Sequence, residues 1–225
     1  MNTDKSITSK ASNDKNNSDK STINNSQINL YNSERYTHIR EELTDFSTAL
    51  NEYSTESWNQ FPGIDLYMDQ VVTYLERLLK LFDTDATGKV ITSSMVNNYV
   101  KEGYLKRPVN KKYDRIQLAT LYIMSMLKPI IPIPLIAGSL SNLNDEHNYQ
   151  VFFEKLAKLQ DEAFTDIAGK MTSTLENISE EDFVTKLHLF ALQLTSEANA
   201  RKIVAERILT ALNKNSSQSS DKDKK

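Results

Sequence analysis

Ser93, Ser94, Asn97, Asn98 and Lys101 crowd into nine residues, and each carries a side chain that hydrogen-bonds. On a helix they lie opposite the apolar positions Val96, Tyr99 and Val100, spaced i, i+3 and i+4. Asparagine matches the paired donor and acceptor edge of adenine, and lysine suits guanine or phosphate. Lys106, Arg107, Lys111, Lys112 and Arg115 follow, the chemistry of gripping backbone oxygens, which positions a protein without reading sequence. From Lys89 to Lys128 eight cations face two anions, a segment charge of 8 − 2 = +6. The whole chain is 27 − 30 = −3, so everything else sums to −9. An acidic chain with one compact basic segment is a candidate for binding a phosphate backbone there. The alternative is a solvated charged surface.

To put these groups on one surface the chain needs a short helix, a basic turn and a longer helix. Thr92 has the side chain of an N-cap, and Gly103 sits where the short helix should stop. Lys106 to Lys112 packs four cations into seven residues around Pro108 and Asn110. Asp114 can cap the next helix, where Ile116, Leu118, Ala119, Ile123, Met126 and Leu127 keep core spacing. Upstream, Pro62-Gly63 signals a turn, and Ile64 and Asp65 open a core helix running from Asp65 to Phe82. A nine-residue connector then leads to Thr92. At 100° per residue Asn97 and Asn98 cannot point the same way. Ser94, Asn97 and Lys101 share a stripe, so Asn97 is the expected base reader and Asn98 serves phosphate or the turn.

The stretch from Thr92 to Lys128 is similar to the DNA-binding half of MerR-type winged helix–turn–helix regulators. The matching positions are Asn98, Tyr99, Gly103, Leu105, Pro108, Lys112 and Tyr113. The resemblance implies a second helix in the major groove and a basic wing, ending in Tyr, on the backbone. The nine-residue connector departs from the tight turn of that motif. Trp58 to about Leu140 also resembles a bacterial family of unknown function, number eighteen thirty-six among such domains. Three motifs carry that likeness: F-P-x-I-D-L-Y-M-D-Q-V at Phe61–Val71, N-N-Y-V-K at Asn97–Lys101 and P-x-x-K-K-Y at Pro108–Tyr113. It implies a predicted DNA-binding regulator of Gram-positive bacteria, with no enzymatic activity assigned.

The rest of the chain supplies scaffold. Residues 1–33 offer almost nothing to bury and are expected to be disordered, as is the tail 214–225. Residues 34–56 hold an amphipathic helix with Tyr36, Ile39, Leu43, Phe46, Ala49, Leu50 and Tyr53 on one stripe. The segment 58–140 is the expected winged module, and 145–213 a helical module for dimerisation or sensing. There Leu187, Ala191, Leu194, Ala198, Arg201, Ala205, Ile208 and Leu212 alternate steps of four and three. Two readings stay open for that stripe: a homodimer seam through 179–213, or a core helix of the chain's own bundle.

Asp83 to Ser94 imitates part of a calcium loop, but Ser94 stands where the bidentate glutamate belongs, so a polar connector is expected instead. The absence of cysteine excludes disulfides and thiolate chemistry. His38, His147 and His188 are scattered, and no Walker, G-x-S-x-G or H-E-x-x-H motif occurs. No apolar run is long enough to span a bilayer. The expectation is a mainly α, cytoplasmic, non-enzymatic protein without metal or cofactor: a winged helix–turn–helix (MerR-like) module with a C-terminal helical module, acting on DNA as a transcriptional regulator. The alternative is a non-catalytic helical protein–protein adaptor whose winged domain does not bind DNA.

Overall fold

A computed structural model describes residues 36–82, 89–143 and 145–222, with side chains through residue 214. The N-terminal segment 1–33 and the carboxylates and glycine of the calcium-like loop, Asp83, Asp85 and Gly88, lie outside the described residues. The chain is mainly helical and divides into two compact units. One comprises residues 53–164 and 189–225, the other residues 1–52 and 165–188. The segment 58–140 falls inside the first, whereas 145–213 is shared between both.

The first unit is built on a helix buried all round. Helix α4, Arg115–Leu127, is buried from Gln117 through Met126. Asp114 starts it by the expected cap: its carboxylate accepts from Gln117 N at 2.8 Å, while Gln117 Oε1 accepts from Asp114 N at 2.9 Å. Around α4 gather a 3-10 turn at Trp58–Gln60, strand β1 (Leu66–Tyr67), helix α2 (Met68–Leu78), a 3-10 turn at Lys80–Phe82, helix α3 (Ser93–Lys101), strand β2 (Lys112–Tyr113) and helix α5 (Ile133–Leu140). Trp58, Phe61, Leu75, Leu79, Ile91, Leu118, Leu121 and Phe153 fill the core. Phe61 meets Phe153 edge-on at 5.1 Å, so Phe61→Ala would cost about 3–5 kcal/mol in a well-packed site.

The expected long helix Asp65–Phe82 is shorter than its periodicity suggested. Leu66 and Tyr67 are extended because they pair, antiparallel, with Tyr113 and Lys112. Helix α2 begins only at Met68, where Gln70 Oε1 accepts from Tyr67 N at 2.9 Å, and ends at Leu78. Pro132 stands at the N-cap of α5 and Pro134 inside its first turn, where a missing N–H costs nothing.

The remaining helices are α1 (residues 36–52), α6 (Glu146–Asn177) and α7 (Phe183–Lys222). In the second unit α1 packs on residues 165–188. Its buried row departs from the expected stripe at two positions: Phe46, 48% exposed, and Ala49 both face outward, whereas Ser47 is 3% exposed. Ser47 fits because its hydroxyl donates to the Ala168 carbonyl at 2.9 Å and meets Thr172 Oγ1 at 2.8 Å. Arg40 donates to the carbonyls of Leu175 and Ile178, with its guanidinium 4.9 Å from the Phe183 ring centre. Helix α7 runs on to Lys222, with neither Gly nor Pro between 213 and 222. Among the described residues no helix is long and apolar enough to cross a membrane.

Candidate nucleic-acid interface

Helix α3 forms as its sequence requires. Thr92 Oγ1 accepts from Met95 N at 3.2 Å, and Val96 is buried on the inner face. The C-terminus closes in a Schellman arrangement: Tyr104 N donates to Tyr99 O at 2.8 Å and Gly103 N to Val100 O at 3.2 Å. Gly103 makes this possible with φ of 76°. Ser93, Ser94, Asn97, Asn98 and Lys101, the five side chains picked out for base and phosphate contact, are all exposed.

Beyond the turn, buried Leu105 anchors the chain and the carbonyl of Lys106 accepts from Gln117 Nε2 at 2.8 Å. Gln117 is 5% exposed and therefore holds two things at once: the start of α4 and the backbone of Lys106. Sequence reasoning missed this, although D-x-x-Q before an apolar run is a capping-box signature. Val109 to Lys112 then forms a two-residue hairpin, with Val109 N to Lys112 O at 3.1 Å and Lys112 N to Val109 O at 2.9 Å. Asn110 (φ 52°) and Lys111 (φ 64°) both lie in the left-handed region, the signature of a type I′ turn. Asn tolerates that conformation, whereas Lys is strained in it.

The basic residues divide by position. Lys106, Arg107 and Lys111 are exposed. Lys112 is half-buried, its Nζ 5.0 Å from the centre of the Tyr67 ring, a cation–π contact across the β1–β2 pair. Arg115, expected on phosphate oxygens, is turned inward. Its Nε donates to Pro62 O at 3.4 Å, its guanidinium lies 5.8 Å from the Trp58 ring, and Nη1 stands 3.9 Å from Glu146. Tyr113, which the MerR likeness put at the end of a backbone-touching wing, is 2% exposed and belongs to the core. Lys128 donates to Val90 O and so ties the end of α4 to the approach to α3.

On α7 the expected seam is partly consumed within the chain. Ala205 packs against the core together with Leu209, while Ile208 and Leu212 are exposed. Leu189, Leu192, Ile203 and Val204 are also exposed. His38, His147 and His188 are all exposed, and among the described residues no group of three His, Cys, Asp or Glu side chains could hold a metal ion.

The fold and site thus define a mainly helical protein that sets an exposed polar helix beside a lysine-tipped hairpin. Residues 56–161, just under half of the chain, match the family model described as domain of unknown function (DUF1836). That supports the likeness read from the three motifs and extends it into α6. No curated protein and no solved structure matches the chain.

Proposed function

We propose that the chain is a non-enzymatic, DNA-binding transcriptional regulator with a MerR-like winged helix–turn–helix arrangement. The observation carrying this reading is the α3–hairpin surface: five hydrogen-bonding side chains exposed on one helix, followed by Lys106, Arg107 and Lys111 exposed on the connecting segment. In this reading α3 enters the major groove, and the hairpin acts as the wing. Arg107, Lys106 and Lys111 contact phosphate oxygens, and Lys112 contributes charge from above Tyr67. Arg115 is left out of the contact set because its guanidinium is already engaged at Pro62, Trp58 and Glu146. A strained lysine at the hairpin tip supports the same reading, because glycine would satisfy the turn but not a phosphate.

The test is capture of sheared genomic DNA by the purified full chain, followed by sequencing. Recovery of a recurring sequence supports the reading, and uniform recovery at all salt concentrations overturns it. A homodimer joined through 179–213 is part of the proposal, since the exposed apolar residues of α7 would be covered by a second copy. The same exposed residues favour the second reading, a helical protein–protein adaptor without DNA binding. A protein that associates through α7 yet captures no DNA would be that adaptor.

A further inference from the structure

Behind the α3 turn lies a cleft of about 580 Å³, within the size range of small-molecule sites. The 102–106 turn forms one wall, and α4 and α5 form the others. Leu105, Ile116, Ala137 and Leu140 make it apolar, and Gln117, Thr120 and Tyr149 supply its buried polar groups, with Gln117 Nε2 already donating to Lys106 O. Thr120 Oγ1 lies 2.7 Å from both Ile116 O and Tyr149 Oη. The Thr120 hydroxyl has one proton, and a carbonyl can only accept, so that proton goes to Ile116 O. Tyr149 must then donate to Thr120. Burial, the largest cause, pushes the Tyr149 phenol up to about 12, so at neutral pH it keeps the proton it donates. Its oxygen retains acceptor capacity, and no donor among the described residues reaches it although Tyr149 is 3% exposed.

The charges around the cleft favour a cation. Glu102 lines it, and Asp114 lies close enough to raise the Tyr149 phenol further. The C-terminal ends of α3 and α5 both abut it, each bringing partial negative charge. One cation, Lys106, lines it as well, with its backbone fixed by Gln117.

We propose that this cleft binds a small amphipathic amine, its ammonium donating to the Tyr149 oxygen and its apolar body lying against α4 and α5. Occupancy then pins the turn from Glu102 to Lys106, which joins α3 to the hairpin. The binding half stands on the cleft alone, while the regulatory half rests on the DNA-binding reading.

Calorimetric titration of the full chain at neutral pH with 2-phenylethylamine, 2-phenylethanol and phenylacetate tests the binding half. The amine is expected to bind at least tenfold more tightly than either other probe. Tyr149→Phe, which keeps the ring, and Ala137→Leu, which fills the cleft, should each weaken the amine at least fivefold, with melting curves confirming that both fold. Glu102→Gln, on the exposed rim, should narrow the preference for amine over alcohol. Absence of amine binding, equal binding of all three probes, or binding undiminished in both cleft variants overturns the proposal. DNA isotherms with and without saturating amine test the regulatory half. A shift of threefold or more supports it, and unchanged affinity with the amine bound overturns it. Failure to bind DNA under either condition overturns the DNA-binding reading while leaving the amine site standing.

Discussion

Replacing Lys111 by glycine should move stability and DNA affinity in opposite directions. Lys111 sits at φ 64°, where an L side chain crowds its own carbonyl and costs roughly 1–2 kcal/mol. Glycine removes that cost but brings back about 0.5–1 kcal/mol of unfolded-chain freedom. The net expectation is a stabilisation of about 0.5 kcal/mol, a rise of roughly 2 °C in melting temperature for a chain of this size. The side chain is exposed and its backbone N–H and C=O make no ladder bond in the hairpin, so nothing else is lost on folding. On DNA the same substitution removes one phosphate contact. Affinity should fall similarly for all sequences, and the salt slope should drop by about 0.9. Lys111→Ala is the control, because it loses the charge and keeps the strained backbone. It should weaken DNA binding equally without the gain in melting temperature. Paired thermal melts and salt-dependent binding isotherms read both effects. A glycine variant that melts lower than wild type would refute the strain argument. An unchanged salt slope in both variants would refute the placement of Lys111 on phosphate.

Three further outcomes are expected. Asn97→Ala should cost roughly 1–3 kcal/mol on the cognate duplex and little on a scrambled one, with the fold intact because alanine is the better helix former at an exposed site. Equal losses on both duplexes would reduce Asn97 to a backbone contact. Gln117→Met keeps the volume but removes the bonds to Asp114 N and Lys106 O, for a loss of about 1–3 kcal/mol in urea unfolding, since two net bonds of about 0.5–1.5 kcal/mol each disappear. The phenols of Tyr53, Tyr74, Tyr122 and Tyr149 are all held above 10.0, with burial the first cause. The folded state therefore keeps protons that the unfolded state releases. Stability is full below pH 10 and falls as pH rises through about 12 for Tyr149, by up to roughly 1.4 kcal/mol per pH unit from that phenol. Urea titrations above pH 10 should show the fall, and Tyr149→Phe should make it shallower.

What the sequence discloses and what it hides follow from the range of the interactions involved. Helix α3 was legible because its cap, its apolar triplet and its stop all lie within twelve residues, Thr92 to Gly103, and each acts on its own neighbourhood. The cap of α4 was legible for the same reason. Strand β1 was not, because Leu66 satisfies a helical apolar stripe as well as a strand, and only its pairing with Tyr113 decides between them. Tyr113 and Arg115 look like contact residues in a basic stretch, yet one is buried and the other is drawn in by Pro62, Trp58 and Glu146, three groups remote in sequence. Phe46 outranks Ser47 on any hydropathy scale. The serine is nonetheless inside, because its hydroxyl finds Ala168 and Thr172 on another helix.

The polar residues of α4 take that argument one step further. A helix buried all round should be apolar, and Gln117, Thr120 and Ser125 read as imperfections in it. Burying each without a partner would cost about 1–3 kcal/mol. Gln117 and Thr120 each have a partner from elsewhere in the chain: Lys106 O for Gln117 and Tyr149 Oη for Thr120. The first bond fixes the backbone that carries the exposed cations, and the second orients the phenol that lines the cleft. Within α4, the buried polar residues that reach a distant partner, Gln117 and Thr120, therefore mark something being positioned, whereas Ser125 Oγ is buried without a partner among the described residues. The sequence marks the place, and only the fold supplies the partner.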